Sequence, residues 1–312
     1  MDTVEKLQVL GKGGVGRVYL CVDKLTGQHV AVKEVERTCP SRIARLDAEK
    51  DALGCILQRT FDVDDATFLV MDFFPGEPLY KCLWRRRQGF PEAFAKQCVA
   101  QIVMELLGLH GRGYMHRDLK TGNVLLDSDG TCHLIDFGFA KRVQADEVEG
   151  DNRTDGRRAM SFVGTHYAMA PEIYRARWNQ PGTSYTSAVD WWALGVLTFE
   201  LLHGSPPWPY KCEDGDLLRY AAQVEKPIEF PRHAHFDSMD VRDLISRLLC
   251  VDPSARLVGA AVKSHRWFAG INWEDLVVIP TTDVVPPPET VPPLPDSAES
   301  VTSAENALFA GF

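Results

Sequence analysis

The sequence predicts an α+β protein of two unequal lobes, strand-rich up to residue 74 and mainly helical beyond it. Three observations carry that expectation. Residues 7–20 (LQVLGKGGVGRVYL) and 61–74 read as strand pairs, the first turning on glycines and the second on VDDA. Residues 75–78, Pro at both ends, interrupt the strand pattern. After them, residues 90–110, 185–202 and 241–249 carry apolar side chains at helical spacing. A chain of 312 residues is long enough for two such lobes around sizeable cores.

Composition narrows the function classes. Apolar residues make up 45 % and charged residues 25 %, the balance of an ordinary globular protein. Forty-three acidic against 34 basic residues give a net charge of −9, which argues against a nucleic-acid partner and suits a cationic substrate. The eight cysteines are scattered without C-x-x-C pairs, so reduced thiols in the cytosol or nucleus are expected. Residues 1–6 lead straight into a strand pattern and residue 2 is Asp, so neither a signal peptide nor N-myristoylation is expected. The most apolar stretch, 185–202, holds Asp190 and Glu200 and reads as a central core helix, leaving no membrane partner.

In the first strand pair, Gly11, Gly13 and Gly16 fit G-x-G-x-x-G, with Val18 two residues later. Such glycines let backbone N–H groups approach phosphate oxygens. The string also marks dinucleotide folds and plain hairpins, but a dinucleotide fold needs a helix next, and residues 17–21 continue as strand. Residues 30–33 (VAVK) form a short apolar strand ending in Lys33, in isolation an ordinary surface charge. Residues 41–56 space Ile43, Leu46, Leu53 and Ile56 as a helix that carries Glu49 and Asp47.

The densest chemistry lies in HRDLKTGNVLLDSDGTCHLIDFG, residues 116–138. Asp118 and Asn123 fit H-R-D-L-x-x-x-N, and Asp136 opens D-F-G. Moving a phosphoryl group requires a hard cation held by carboxylate and amide oxygens, and a separate carboxylate for the acceptor's proton. A polar turn explains any one Asp, but two ordered motifs in one 23-residue window displace that reading.

On these motifs the chain resembles the eukaryotic protein kinases over residues 7–270, and DFGFAKRV is similar to the cyclic-AMP-dependent kinase and its AGC relatives. The resemblance implies a bilobal fold: a five-stranded, mostly antiparallel small lobe (1–74), a helical large lobe (75–270) and a tail (271–312). It implies ATP and Mg2+, and transfer of the γ-phosphoryl group to Ser or Thr hydroxyls. Asp118 would orient and deprotonate the acceptor, Lys120 would neutralise developing charge, and Asn123 with Asp136 would hold the metal. Lys33 paired with Glu49, or less favourably Asp47, would align the phosphates. Leu10, Gly11, Gly13, Gly16, Val18, Ala31, Met71 as gatekeeper, Asp72 and Phe74 at the hinge, and Leu125 would surround the nucleotide. Val15 stands where many relatives carry an aromatic. The short span from Glu49 to Met71 suggests that one small-lobe strand is trimmed.

The same resemblance makes 136–172, closing on Ala170-Pro171-Glu172, an activation segment. Ser161 would be its phosphosite, clamped by Arg45, Arg117 and Lys141, with Thr165 near the acceptor hydroxyl. An insert at 143–158 lengthens it, and Met160 replaces a tryptophan that relatives use to dock a regulatory subunit. Asp190 would accept hydrogen bonds from the catalytic loop, since a buried carboxylate is costly without them. Glu172 would pair with Arg256. Glu200, and with less weight Glu77, would bind a substrate arginine, although surface charge explains either equally well. Gly122 takes the place of a glutamate that grips arginine in basophilic relatives. The 279–303 stretch is rich in Pro, Thr, Glu and Ser and should be extended. The chain then ends on Phe309 and Phe312, an F-x-x-F that in relatives tucks into the small lobe; a frayed end is the alternative.

Expected partners are protein substrates with basic residues near the acceptor. Control is expected from another chain such as a regulatory subunit, from an upstream kinase acting on Ser161, or from the tail. The rival reading is a pseudokinase scaffold, whose mark is a missing Lys, Asp or Asn at these positions; all are present. A lipid or small-molecule kinase is disfavoured by GTHYAMAPE, which shapes a peptide site in the family.

Overall fold

The computed structural model describes residues 3–13, 16–143, 166–177, 185–208, 221–231 and 238–276. Its first third is a sheet of five antiparallel strands in the order β1-β2-β3-β5-β4. The strands are β1 (Val4–Gly13), β2 (Gly16–Asp23), β3 (His29–Glu36), β4 (Leu57–Val63) and β5 (Ala66–Asp72). All five are present, which corrects the expectation of a trimmed strand. The economy lies in the connection into β4, which is a single 3-10 turn, Gly54–Ile56.

Register assigns the two faces. Val18 pairs with Lys33, Leu20 with Ala31, and Ala31 with Met71. Directly paired residues, and residues two apart on a strand, share a face. Val18, Leu20, Ala31, Lys33, Leu69 and Met71 therefore line one side. The opposite side carries Tyr19, Cys21, Val30, Val32, Phe68 and Val70, buried together as a separate apolar cluster.

Helix α1 (Pro40–Leu53) crosses between β3 and β4. Proline at its first turn suits a position whose N–H has no helical acceptor, and Gly54 at φ 56° stops it. The stop falls three residues earlier than apolar spacing alone suggests. At its far end, Arg112 Nη2 donates to the Ala52 carbonyl (2.7 Å) and the Tyr114 hydroxyl donates to Asp51 Oδ2 (2.8 Å).

Beyond residue 74 come β6 (Glu77–Pro78), α2 (Leu79–Arg86) and α3 (Glu92–Gly111). Next are the short strands β7 (Tyr114–Met115), β8 (Val124–Leu126), β9 (Cys132–Leu134) and β10 (Lys141–Arg142). Helices α4 (Pro171–Arg177), α5 (Ala188–His203), α6 (Met239–Leu248) and α7 (Ala260–Lys263) follow, with 3-10 turns at His166–Ala168 and Arg266–Phe268. Strands β6, β8 and β9 form one small sheet, and β7 with β10 another. The dominant core gathers α3, α5 and α6, with Trp191, Trp192, Phe90, Phe94 and Trp267 fully buried. Helix α5 is buried on every side, as its near-continuous apolar sequence requires. Gly195 permits the approach of α6, because a Cβ there would lie 2.9 Å from Leu248 and Leu249 side-chain atoms. Among the described residues no helix is long and apolar enough to cross a membrane.

Candidate active site

Residues 116–123 connect β7 to β8, and Asp190 on α5 holds their backbone. Its Oδ2 accepts from the His116 N–H and from His110 Nε2 (both 2.8 Å), and its Oδ1 from the Arg117 N–H (2.8 Å). Burial opposes ionisation of Asp190, yet His110 and these donors hold its pKa below the ordinary carboxylate value. Arg117 can then keep φ at 68°, a left-handed conformation unusual for a side-chain-bearing residue. Its guanidinium is used internally, donating to the Phe139 carbonyl (2.6 Å) and the Tyr185 hydroxyl (3.0 Å).

His116 links this loop to residues 135–137. Its Nδ1 accepts from the Asp118 N–H (3.3 Å), so Nε2 carries the proton and donates to the Ile135 carbonyl (3.2 Å). The ring meets Phe137 edge-on at 5.1 Å. Phe137 is buried, and Asp136, at φ 60°, turns the other way.

Asp118 receives two hydrogen bonds from Asn123 Nδ2, one on its carbonyl and one on Oδ2 (both 2.8 Å), and Lys120 Nζ lies 3.1 Å from the same Oδ2. Burial pushes the Asp118 carboxyl up, with Lys120 opposing. Its Oδ1 makes no hydrogen bond among the described residues, leaving one oxygen to accept a proton.

Lys33, on the inner face of the sheet, bridges Glu49 Oε1 (2.5 Å) and Asp136 Oδ1 (2.9 Å). Asp47, its alternative partner, is exposed beside Lys50. Burial disfavours the Lys33 ammonium, but Asp136 and Glu49 overcome it and raise its pKa above the ordinary value. Asp136 resists burial in the same way and, facing Lys33, is held at about 2.

Two hard oxygens remain for a cation: Asp136 Oδ2 and Asn123 Oδ1 make no hydrogen bond among the described residues. No group of three or more His, Cys, Asp or Glu able to hold a metal occurs among them. A dedicated calcium or transition-metal cage does not fit this donor set. Magnesium does, because it commonly takes one or two protein oxygens and completes its shell with water and phosphate.

Above the loop, Val18, Ala31 and Met71 present a half-buried apolar surface beside Lys33, and Leu125 on β8 is half-buried in the other lobe. Gly13 faces Gly16 across the β1–β2 hairpin, and Gly11 faces Val18, while Leu10 is exposed. Residues 72–74 join the lobes. Asp72 accepts from Gln58 (2.7 Å), and Phe74 stacks on His133 at 4.1 Å and 10°.

Sequence comparison agrees with this geometry. The model of the family described as protein kinase domain matches residues 4–268. The chain belongs to the protein kinase domain family. It is 34 % identical over 288 residues to the "cAMP-dependent protein kinase catalytic subunit" of Dictyostelium discoideum, covering 87 % of this chain and 40 % of that one. It is 35 % identical over 295 residues to the "Serine/threonine protein kinase ypkA" of Aspergillus fumigatus, covering 89 % and 42 %. A third relative, "cAMP-dependent protein kinase, catalytic subunit-like" of Caenorhabditis elegans, is 30 % identical over 291 residues, covering 88 % and 67 %. This kinase domain thus spans well under two thirds of the length of many relatives it matches.

Around this centre, Glu172 and Arg256 form a buried two-pronged ion pair (2.6 and 3.0 Å), with Arg256 also donating to the Ala188 and Cys250 carbonyls. Glu200 is not a surface charge. It is buried and accepts from the Thr121 hydroxyl (3.1 Å) and the Tyr167 hydroxyl (3.5 Å). Burial pushes it up to about 7, with those hydroxyls opposing. Glu77 is not a free surface charge either, being ion-paired with Arg85. Of the expected phosphate clamp, Arg45 is half-buried on α1 and Lys141 is exposed on β10, which packs against α1. Ser161, Thr165 and Met160, with the tail residues Phe309 and Phe312, lie outside the described residues.

Several residues of the kinase site escape a reading by motif. His110 sits at the end of a helix whose pattern signals only a core face, yet it supplies a donor to Asp190. Tyr185 and Arg112 act across long sequence separations, which no spacing rule reaches, while Arg85 turns back onto Glu77, eight residues away.

Proposed function

We propose that this protein is a serine/threonine kinase that transfers the γ-phosphoryl group of ATP to protein hydroxyls. The observation that carries the reading is the chain Glu49–Lys33–Asp136, continuous at 2.5 and 2.9 Å, next to an Asp118 that has one oxygen without a partner among the described residues. A site of this kind accelerates transfer through positioning and electrostatics rather than covalent chemistry. Lys33 stays an ammonium and orients phosphate oxygens, with Glu49 fixing its direction. Asp136 and Asn123 would hold magnesium, which supplies neutralisation of charge on the phosphates when bound. Asp118 accepts the acceptor's proton at Oδ1 while Lys120 faces the charge that develops beside it. Val18, Ala31, Met71 and Leu125 give adenine an apolar slot under the glycine hairpin, with Leu10 at its rim and residues 72–74 offering backbone groups.

A preference for basic residues near the acceptor is supported by Glu200. This buried carboxylate pairs with no cation among the described residues, and only two hydroxyls satisfy it. A substrate guanidinium would supply the missing charge and restore ionisation, and the net charge of −9 favours approach of basic peptides. Phosphorylation of Ser161 ordered by Arg45, Arg117 and Lys141, acceptor positioning by Thr165, and docking of Phe309 and Phe312 on the small lobe complete the proposal, together with a cytoplasmic or nuclear location.

The test is a Ser/Thr peptide library offered with Mg-ATP, each position scanned in turn. Transfer to Ser or Thr with enrichment of arginine before the acceptor is expected. Transfer without that enrichment would remove the role given to Glu200 and keep the enzyme. Binding of Mg-ATP by protein phosphorylated on Ser161, with no transfer to any peptide, would leave a scaffold instead.

A further inference from the structure

Two carboxylates flank the 3-10 turn Thr121–Asn123, and they differ in what already occupies them. Glu200 reaches the turn through its hydrogen bond to Thr121 and has no cationic partner among the described residues. Glu77 lies on β6, which pairs with β8 immediately after the turn (Glu77 opposite Leu126), and both β6 and α2 pack on the turn itself. Eight residues along the chain, Arg85 on α2 folds back onto Glu77. Arg85 Nη1 donates to Glu77 Oε2 at 2.5 Å, Arg85 Nη2 donates to Oε1, and Cys82 Sγ donates to the same Oε1 at 3.4 Å. The side chains are only 11 % and 29 % exposed, so this is a fork-on-carboxylate pair partly out of water. Gly122, within the turn itself, has no side chain to add a third carboxylate.

We propose that Arg85 is a specificity-determining residue that occupies Glu77 from within the chain and closes it to substrate arginine, so that the enzyme reads one basic residue, at Glu200, rather than two. An arginine tethered eight residues away competes at an effective concentration of about millimolar or more. A substrate arginine arriving at Glu77 would exchange one guanidinium for an equivalent one and gain little. The same arginine at Glu200 meets a carboxylate without a counter-charge, and the pairing is a net gain. Discrimination therefore concentrates at one subsite although two carboxylates border the loop.

The inference rests on the Ser/Thr kinase reading, and its test separates the two. The full chain and Arg85→Ala are compared on three Ser peptides: no arginine, one arginine at the position best selected by the wild type, and a second arginine scanned through the remaining positions. Wild type should gain from the first arginine and little from any second. Arg85→Ala should gain about tenfold or more in kcat/KM from a second arginine at one position, the worth of a charge-assisted pair. Adding Glu77→Gln to Arg85→Ala should remove that gain. Glu77→Gln alone should leave the ratio between one-arginine and two-arginine peptides as in wild type. An unchanged ratio in folded, active Arg85→Ala, or a loss of arginine selection in Glu77→Gln alone, would overturn the proposal. Absence of transfer by wild type to any peptide would instead sink the kinase reading beneath it.

Discussion

Glu200 shows how one side chain can carry a measurable pH signature. Its folded-state pKa is raised to about 7 from an ordinary 4.5, so the folded protein holds that proton more tightly than the unfolded chain. The resulting stabilisation is full below the unfolded value and is lost as pH rises through about 7, by an amount on the order of 3 kcal/mol. Thermal midpoints measured from pH 4.5 to 8 should fall more steeply for wild type than for Glu200→Gln, and parallel curves would mean that the carboxylate is not desolvated. A basic peptide inverts the preference, because its guanidinium pairs with the ionised form. Preference for an arginine peptide over its alanine counterpart should therefore rise with pH through about 7, and a flat profile would count against Glu200 as the recognition group. At this scale the sequence was most informative where chemistry dictates residue type at fixed spacing. Asp118, Asn123, Asp136 and Lys33 stood out in the sequence because few other side chains could serve the roles proposed for them. Glu200 was legible as a carboxylate but not as a buried one, since its hydroxyl partners Thr121 and Tyr167 stand 79 and 33 residues away.

At the scale of elements, the position of Glu49 depends on how α1 is held. Its C-terminal end is pinned to the large lobe by Arg112 on the Ala52 carbonyl and by Tyr114 on Asp51. Removing the Arg112 donor uncovers a terminal carbonyl at a cost of about 1 kcal/mol and loosens the helix that aims Glu49 at Lys33. Arg112→Ala should therefore lower the thermal midpoint by a few degrees and reduce kcat/KM for ATP, while Arg112→Lys restores part of both. Equal activity in Arg112→Ala would show that Glu49 is held without this tie. The type of the longer strands and helices was legible from periodicity, whereas their ends were not. Apolar spacing carries α1 on to Ile56, but Gly54 at positive φ turns the chain three residues sooner. The expected loss of a strand failed for a related reason. Counting residues between Glu49 and Met71 measures the connection and the strand together, and the connection is what is short.

For the molecule as a whole, Glu172 and Arg256 join the start of α4 to the loop after α6 through a pair excluded from water. Replacing one partner strands the other's charge, which typically costs 3–5 kcal/mol. Arg256→Met should shift the urea midpoint accordingly, and a change under 1 kcal/mol would mean that water reaches Glu172. The passage from a strand-rich to a helical part of the chain was readable from periodicity, and the two-lobed plan from the family resemblance. What brings the lobes' chemistry together was not, because Lys33 and Asp136 stand 103 residues apart and meet only through packing. The central claim is that this meeting point performs phosphoryl transfer. The most direct measurement is ATP-dependent incorporation of phosphate into the preferred Ser peptide by wild type and by Asp136→Ala, with folding of each verified by its thermal midpoint. Robust transfer by wild type and a loss of about a hundredfold or more in the variant are predicted. Equal transfer by the two proteins would contradict the account.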